Sequence, residues 1–144
     1  MKRFVIALLF ILFAATVVRA EMLSIAGQRV NMRSGPGTRY AVLWELGSGF
    51  PLKVIEQKGK WVRVKDFEGD TGWVFKKLTN RTPTVIVTRK LINIRSGPGT
   101  KNRIVGKATH GTVLKIITNS KGWVKVRHSS NVVGWVKRNL VWGW

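Results

Sequence analysis

Residue types that could catalyse a reaction are few in this chain and do not occur at catalytic spacings. There is no cysteine, and both histidines, His110 and His128, lie in the second half of the chain, which has no aspartate or glutamate. A hydrolytic triad needs a nucleophile, a base and an orienting group, and a glycosidase needs two carboxylates. Asp66, Glu68 and Asp70 alternate over a short stretch predicted to be the solvated end of a hairpin. The sequence therefore predicts a protein that is not an enzyme and has no metal or cofactor.

Residue types that bind ligands without catalysis are abundant. The chain contains seven tryptophans, and its 26 lysines and arginines against six acidic residues give a formal net charge of +20. The excess is uneven, because residues 81–144 contain basic side chains and no acidic one. Such a field attracts polyanions and repels other basic proteins. The alternative is that the charge serves only to keep the protein soluble.

An internal repeat organises these residues. The segment Asn-Met-Arg-Ser-Gly-Pro-Gly-Thr at residues 31–38 returns with one change at residues 93–100, which is 62 residues later. The same offset relates Trp61 to Trp123. It also relates the Gly-Trp-Val segment that begins at Gly72 to the one that begins at Gly134. A fixed period with shared glycines and tryptophans indicates two copies of one small module.

Each copy has the pattern of short strands separated by turns. In the first copy Val62 and Val64 alternate with Arg63 and Lys65, the period of a half-buried strand. The strands predicted for this copy are residues 23–26, 30–33, 52–56, 61–65 and 71–74. An amphipathic helical period is absent from both copies, and only short helical turns are expected, near residues 76–78 and 138–140. The sequence thus predicts an all-β protein made of two small barrels or sandwiches.

The Gly-Pro-Gly-Thr segments at residues 35–38 and 97–100 are predicted to be type II turns. Proline presets φ at the second position of such a turn, and glycine accepts the positive φ of the third. A phosphate-binding loop is the alternative, but it requires a helix N-terminus directly after the loop. The residues after Thr38 and Thr100 do not have a helical pattern.

Taken together, these motifs resemble the bacterial SH3 (SH3b) domain. In the second copy the motifs are residues 93–100, Gly111 with Leu114, Ile116 and Ile117, Gly122-Trp123 with Val126, and Gly134-Trp135-Val136. The first copy departs from them at Lys60, which stands where Gly122 stands, and at Trp44, which replaces Gly106. The resemblance implies two five-stranded SH3-like barrels in tandem. It also implies a binding or targeting module for cell-wall material in the bacterial envelope.

Residues 1–20 have the layout of a signal peptide that is cut after Ala20. A basic start is followed by an apolar run of about 15 residues, which is short for a membrane span of about 20. An uncleaved membrane anchor is the alternative. We therefore expect an exported protein, periplasmic or associated with the cell envelope, without a transmembrane segment after cleavage. The two SH3b-like domains are assigned to residues 21–79 and 84–142, and the short linker predicts that the barrels touch.

Ten aromatic or basic side chains are the candidate ligand-binding residues. They are Tyr40, Trp44, Trp61, Trp123, Arg33, Arg95, Lys101, Arg103, Lys125 and Arg127. Trp61 and Trp123 either stack on a ligand or pack in the cores of the barrels. Tyr40 and Trp44 either form an exposed stacking surface or fill the contact between the barrels, and the contact is favoured. Arg33 and Arg95, which occupy matching positions in the two copies, either donate to carbonyls of a loop, which is favoured, or face an external anion.

The leading hypothesis is an exported, non-catalytic module that binds peptidoglycan or an anionic polymer of the cell envelope. The alternative is a periplasmic protein-interaction module that recognises an extended peptide segment through the region of Tyr40 and Trp44. Nucleic acid is favoured by the charge and the aromatic residues but opposed by export. The basic second copy is expected to contact the polyanion, and the first copy to supply specificity or structure.

Overall fold

Hydrogen-bonded antiparallel ladders connect nearly all of the regular structure. The computed structural model describes residues 20–144. The signal peptide predicted for residues 1–20 lies outside the described residues, apart from Ala20. Within the described part of the chain, no helix is long and apolar enough to cross a membrane.

The two copies of the repeat form two separate sheets. The strands of the first barrel are β1 (Met22–Ile25), β2 (Arg29–Arg33), β3 (Val42–Gly47), β4 (Pro51–Lys58), β5 (Trp61–Lys65), β6 (Thr71–Phe75) and β7 (Thr79–Asn80). The strands of the second barrel are β8 (Thr84–Val87), β9 (Leu91–Arg95), β10 (Ile104–Thr109), β11 (Val113–Ser120), β12 (Trp123–Arg127), β13 (Val133–Lys137) and β14 (Val141–Gly143). The strand order is β3-β2-β6-β5-β4-β1-β7 in the first sheet and β10-β9-β13-β12-β11-β8-β14 in the second.

These sheets confirm the predicted all-β class and the tandem arrangement, with more strands than the five predicted for each barrel. β3 does not alternate between buried and exposed residues, because it lies at the edge of its sheet and five of its six residues are exposed. β7 and β14 are only two and three residues long and follow the expected helical turns. Those turns are single 3-10 turns at Lys76–Leu78 and Arg138–Leu140.

Each barrel has its own apolar core, built from alternate residues of its strands. Val62 and Val64 are 1% and 0% exposed, whereas Arg63 between them is half-buried on the opposite side of β5. Val124 and Val126 take the same places in β12. With no cysteine in the chain, these two aliphatic clusters are the main stabilising feature of the fold.

The glycine of each Gly-Trp-Val motif lies where two strands cross at close range. A Cβ atom on Gly134 would lie 2.6 Å from the carbonyl oxygen of Arg95 and 2.7 Å from Cγ2 of Ile94. A Cβ atom on Gly72 would lie 2.6 Å from Cγ of Met32 and 3.0 Å from the carbonyl oxygen of Arg33. Both barrels therefore need a residue without a side chain at this crossing.

The two barrels are in contact through the linker and the loops beside it. Thr84 is fully buried, and its hydroxyl donates to the carbonyl of Gly49 at 2.6 Å. Gly49 has a φ of 77°, and a Cβ atom there would lie 3.1 Å from Cγ1 of Val113 in the second barrel. The predicted contact between the barrels is therefore present, and at this point it is made by backbone and small side chains.

Replacing Gly134 by alanine should lower the free energy of unfolding by about 1–3 kcal/mol, because the new methyl group meets a backbone oxygen that cannot move aside. Gly47→Ala is the matched control, since a Cβ atom there meets nothing within 4 Å. Urea unfolding followed by tryptophan fluorescence measures both variants. Equal stability of Gly134→Ala and the wild type would contradict the close crossing.

Candidate functional site

A row of cationic and indole side chains lies across one face of each sheet, and the central indole is buried in the first barrel, where Trp73 is 8% exposed, and half-buried at Trp135 in the second. In the first barrel Arg33 lies opposite Trp73, and Trp73 lies opposite Arg63. Directly opposite residues of antiparallel strands place their side chains on the same face. We call the surface formed by β2, β6 and β5 the outer face of the first barrel.

The second barrel repeats this row. Arg95 lies opposite Trp135, which lies opposite Lys125. Arg127 follows on the same strand and is exposed. The surface formed by β9, β13 and β12 is the outer face of the second barrel. Three of the predicted basic residues thus share one surface.

Trp61 and Trp123 lie on the outer faces, each beside a residue that differs between the barrels. Trp61 is half-buried opposite Phe75, with ring centroids 5.5 Å apart and ring planes tilted by 53°. Trp123 lies opposite Lys137 instead. The sequence analysis did not name Phe75 or Lys137. Each of them lies two residues after a tryptophan of the same strand and therefore on the same face of that strand. The partner of the tryptophan is therefore an aromatic ring in the first barrel and an ammonium group in the second.

A groove of about 260 Å³ opens beside the aromatic pair of the first barrel. Trp61 and Phe75 line it together with the guanidinium-bearing Arg33 and with Thr38 and Leu78. An apolar surface with a few polar groups at its rim is the usual form of a small ligand site. This groove brings together Arg33 and Trp61, two of the predicted residues that are far apart in the sequence.

Arg33 and Arg95 also hold the loops that follow their strands. Nη1 of Arg33 donates to the carbonyls of Thr38 and Tyr40, both at 3.0 Å. Nη1 of Arg95 donates at 3.0 Å to the matching carbonyls of the second barrel, those of Thr100 and Asn102. This geometry agrees with the backbone-capping alternative. A role for the remaining guanidinium donors in ligand binding stays a prediction.

Tyr40 covers the Gly-Pro-Gly turn and does not fill the contact between the barrels. A Cβ atom on Gly35 would lie 2.5 Å from the ring of Tyr40, and the guanidinium carbon of Arg39 lies 5.1 Å from the ring centroid. In the second barrel Asn102 takes the same place over Gly97. The expectation that Tyr40 packs between the barrels is therefore wrong, since its ring is committed to the turn beside it.

Trp44 is exposed at the edge of the first sheet, which also differs from the expected inter-barrel contact. Its side chain is 54% exposed and lines a pocket of about 160 Å³ with Phe50, Phe67 and the Asp66 loop. In the second barrel the place of Trp44 belongs to Gly106, where a Cβ atom would lie 2.9 Å from Val132. Trp44 does not belong to the outer face, because its partner across the sheet is the buried Met32.

Lys101 and Arg103 are exposed on the loop that Arg95 holds, between β9 and β10. The carbonyl of Arg103 accepts a hydrogen bond from the backbone N–H of Ser96 at 2.8 Å, which closes this loop. Lys125 and Arg127 lie on β12. These four cations of the second barrel therefore belong to two structural units, a loop and the outer face.

Of the three carboxylates expected at a solvated hairpin end, Glu68 and Asp70 are exposed, but Asp66 is buried. It is 7% exposed and accepts hydrogen bonds from the backbone N–H groups of Glu68 and Asp70, both at 2.9 Å. Burial raises its pKa above the ordinary value, and the two hydrogen bonds oppose that rise. Asp66 thus orders the turn between β5 and β6.

His110 faces a carboxylate of the other barrel, a pairing that the sequence does not reveal. Its Nε2 lies 3.7 Å from Oε1 of Glu68, and its ring centroid lies 5.3 Å from that of Phe67. Both partners belong to the first barrel. The described residues contain no group of three or more histidine and carboxylate side chains that could hold a metal ion.

Comparison with known families agrees with this architecture. The model of the bacterial SH3 domain matches residues 26–80 and again residues 88–143. The chain belongs to the bacterial SH3 domain family. Each match covers one barrel except for its first strand, and includes its outer face and its Gly-Pro-Gly turn.

Among curated proteins the chain is similar to "Putative N-acetylmuramoyl-L-alanine amidase YrvJ" of Bacillus subtilis, with 30% identity over 144 residues. That match covers 92% of this chain and 28% of the relative. It is also similar to "Probable cell wall amidase LytH" of Staphylococcus epidermidis, with 35% identity over 54 residues, 37% of this chain and 19% of the relative. The chain therefore spans less than a third of the length of these relatives.

Among solved structures, an NlpC/P60 family protein from Bacillus cereus aligns with a TM-score of 0.40 and 15% identity, over 85% of this chain and 56% of that one. NlpC1 from Trichomonas vaginalis aligns with a TM-score of 0.39 and 12% identity, over 89% of this chain and 47% of that one.

Asp66 should make the stability of the first barrel depend on pH. Because its folded pKa lies above its ordinary value of 3.8, the folded state binds this proton more tightly than the unfolded state does. The contribution of Asp66 to stability is thus fully present below that value and is lost as the pH rises through the folded pKa. Asp66→Asn keeps the acceptor oxygen and cannot ionise.

The Tm of Asp66→Asn should therefore rise relative to that of the wild type as the pH increases from about 3.5 to about 7. Glu56→Gln, which changes an exposed carboxylate of the same barrel, serves as the control and should show no such trend. A constant difference in Tm between Asp66→Asn and the wild type would contradict the raised pKa.

Proposed function

We propose that this protein is an exported, non-catalytic module that binds the bacterial cell wall, with peptidoglycan or an anionic envelope polymer as its ligand. The family and the two amidase relatives support an association with the cell wall. The observation that carries the proposal is that the outer face of each barrel combines cationic side chains with a half-buried tryptophan, Trp61 in the first and Trp123 in the second. Two equivalent surfaces in one chain gain avidity on a repetitive polymer.

The chemistry of the outer faces supports binding rather than catalysis. Their polar side chains are mainly guanidinium and ammonium groups, which neither attack nor accept protons near neutral pH. The buried carboxylate of Asp66 is engaged by two backbone N–H groups. A general acid or base must lie within hydrogen-bonding reach of the reacting atoms, whereas this carboxylate is bonded to the backbone of its own turn.

The differences between the barrels support a division of work. Where the first barrel has Phe75 beside its tryptophan, the second has Lys137, and where the first has Glu45, the second has Lys107. The aromatic groove of the first barrel suits an apolar or sugar-ring surface of the ligand. The second barrel suits its anionic groups, because it carries only basic charges.

A second candidate function is the recognition of an extended peptide of a periplasmic protein. The edge strand β3 favours it, because Val42, Leu43 and Trp44 are 46%, 45% and 54% exposed. An edge strand presents unpaired backbone groups to which a peptide strand can add. The two functions use different surfaces, so that variants can separate them.

The purified protein should co-sediment with purified sacculi, and Trp61→Ala combined with Phe75→Ala should weaken this binding at least about tenfold, as expected for a central aromatic pair. Trp44→Ala is the matched control on the edge strand and should bind as the wild type does. Loss of binding in Trp44→Ala with full binding in the double variant would instead support the peptide-binding function. Failure of the wild type to bind even at low salt would contradict the proposal.

Neutralising the second barrel should reduce the salt-sensitive part of the binding. The variant replaces Lys101, Arg103, Lys125 and Arg127 with glutamine. It should bind sacculi more weakly at low salt and show a flatter salt dependence, since fewer exposed charges remain to be screened. The control replaces four exposed lysines of the first barrel, Lys58, Lys60, Lys76 and Lys77, with glutamine. Equal losses in both variants would mean that net charge, rather than this surface, is responsible.

A further inference from the structure

A groove of about 630 Å³ lies between the two barrels, on surfaces that neither barrel supplies alone. The first barrel contributes Met22 and Lys53, which are paired across β1 and β4. The second contributes Trp142, Gly143 and Trp144 from its C-terminal strand. Both indole side chains are half-buried, so each presents part of its ring to the groove.

The segment that carries the two tryptophans is fixed in place. The guanidinium of Arg138 donates from Nη1 to the carbonyl of Val141 at 3.2 Å, and from Nη2 to those of Gly143 at 3.3 Å and Trp144 at 2.6 Å. The backbone N–H of Trp144 donates to the carbonyl of Thr84, the first residue of β8, at 3.3 Å. These hydrogen bonds fix the backbone from which the two indole rings project, which reduces the entropy lost on binding.

Gly143 allows this segment to pack closely on β8, its partner in the sheet. Its φ is 147°, and a Cβ atom there would collide with the carbonyl oxygen of Thr84 and lie 3.0 Å from Cα of Val85. Any side chain would push β14 away from β8 and would displace Trp142 and Trp144. The tight approach thus fixes the wall of the groove that the second barrel supplies.

The internal repeat indicates that the fold does not require these tryptophans. At the offset of 62 residues, Trp142 corresponds to Asn80 and Trp144 to Thr82. The first barrel forms the matching ladder between β1 and β7 without an aromatic residue. Two large apolar side chains at the surface of a strongly basic protein, absent from the equivalent place in its own duplicate, are better explained by a ligand than by packing.

We propose that this inter-barrel groove binds the glycan backbone of an envelope polymer, a proposal that rests on the proposed function and assigns to it a second, composite site. The faces of pyranose rings carry C–H groups that pack against indole rings. Trp142 and Trp144 both line the groove and so offer two stacking positions. Lys53 supplies an ammonium for a carboxylate carried on the sugar.

A glycan suits this groove better than a peptide strand does. A peptide that extended the sheet at β14 would need free backbone carbonyls along that edge. The carbonyls of Val141 and Gly143 already accept hydrogen bonds from Arg138. A ligand must therefore bind through the side chains, and the side chains that line the groove are chiefly aromatic and apolar, with one cation.

The test uses two probes prepared from the same sacculi with a peptidoglycan amidase, namely the peptide-free glycan strands and the released peptides. The variants are Trp142→Ala combined with Trp144→Ala, and Lys53→Gln, each checked for unchanged thermal unfolding. Lys115→Gln is the matched control, because Lys115 is the equivalent exposed lysine of the second barrel. Affinity for each probe is measured by titration calorimetry, and binding to sacculi by co-sedimentation.

We expect the double tryptophan variant to lose at least about tenfold in affinity for the glycan strands, and Lys53→Gln to lose several-fold while Lys115→Gln is unaffected. Unchanged glycan affinity in the double variant would overturn the inference while leaving the proposed function intact if the sacculi are still bound. Binding of the released peptides that disappears in the double variant would also overturn it, in favour of a peptide ligand. If the wild type fails on sacculi yet binds glycan strands through these tryptophans, the proposed function fails and this site stands.

Discussion

The close crossing at the glycine of the Gly-Trp-Val motif is the constraint on which the rest of each barrel depends. At Gly72 and Gly134 the neighbouring strand passes so near that a single methyl group would collide with it. The crossing closes the sheet and sets the register in which Arg33 lies opposite Trp73 and Arg95 lies opposite Trp135. The cation–indole rows of the outer faces are therefore a direct consequence of barrel closure.

The internal duplication separates what the barrel needs from what the ligand needs. Both copies keep apolar residues at the core positions, and they share the glycines of the Gly-Pro-Gly turns and the arginines that hold the turn loops. Differences that change the chemistry of a side chain occur outside the core: Phe75 against Lys137 on the outer face, and Trp142 against Asn80 at the last strand. Because both copies fold into the same sheet order, these differences are free to serve recognition.

The contact between the barrels turns two small modules into one binding surface. The buried hydroxyl of Thr84 and the positive φ of Gly49 act where the barrels meet, and the hydrogen bonds of Arg138 fix the last strand of the second barrel. Together they bring Lys53 of one barrel and the C-terminal tryptophans of the other to the same groove. The tandem thus presents two outer faces and a composite groove to a polymer.

The sequence by itself determined the duplicated all-β fold and the places of the turns, because these follow from local periods, glycines and prolines within each copy. The type II geometry predicted for the two Gly-Pro-Gly-Thr segments is wrong, since Gly37 and Gly99 lack the positive φ that it requires. The sequence also named Trp61 and Trp123, which lie on the outer faces, but not their neighbours Phe75 and Lys137. Only the tertiary structure decided that Trp44 is exposed, that Tyr40 covers its own turn, and that His110 faces Glu68. It alone revealed the inter-barrel groove. The reason is physical, since those outcomes depend on contacts between segments far apart in the chain, which no local pattern specifies.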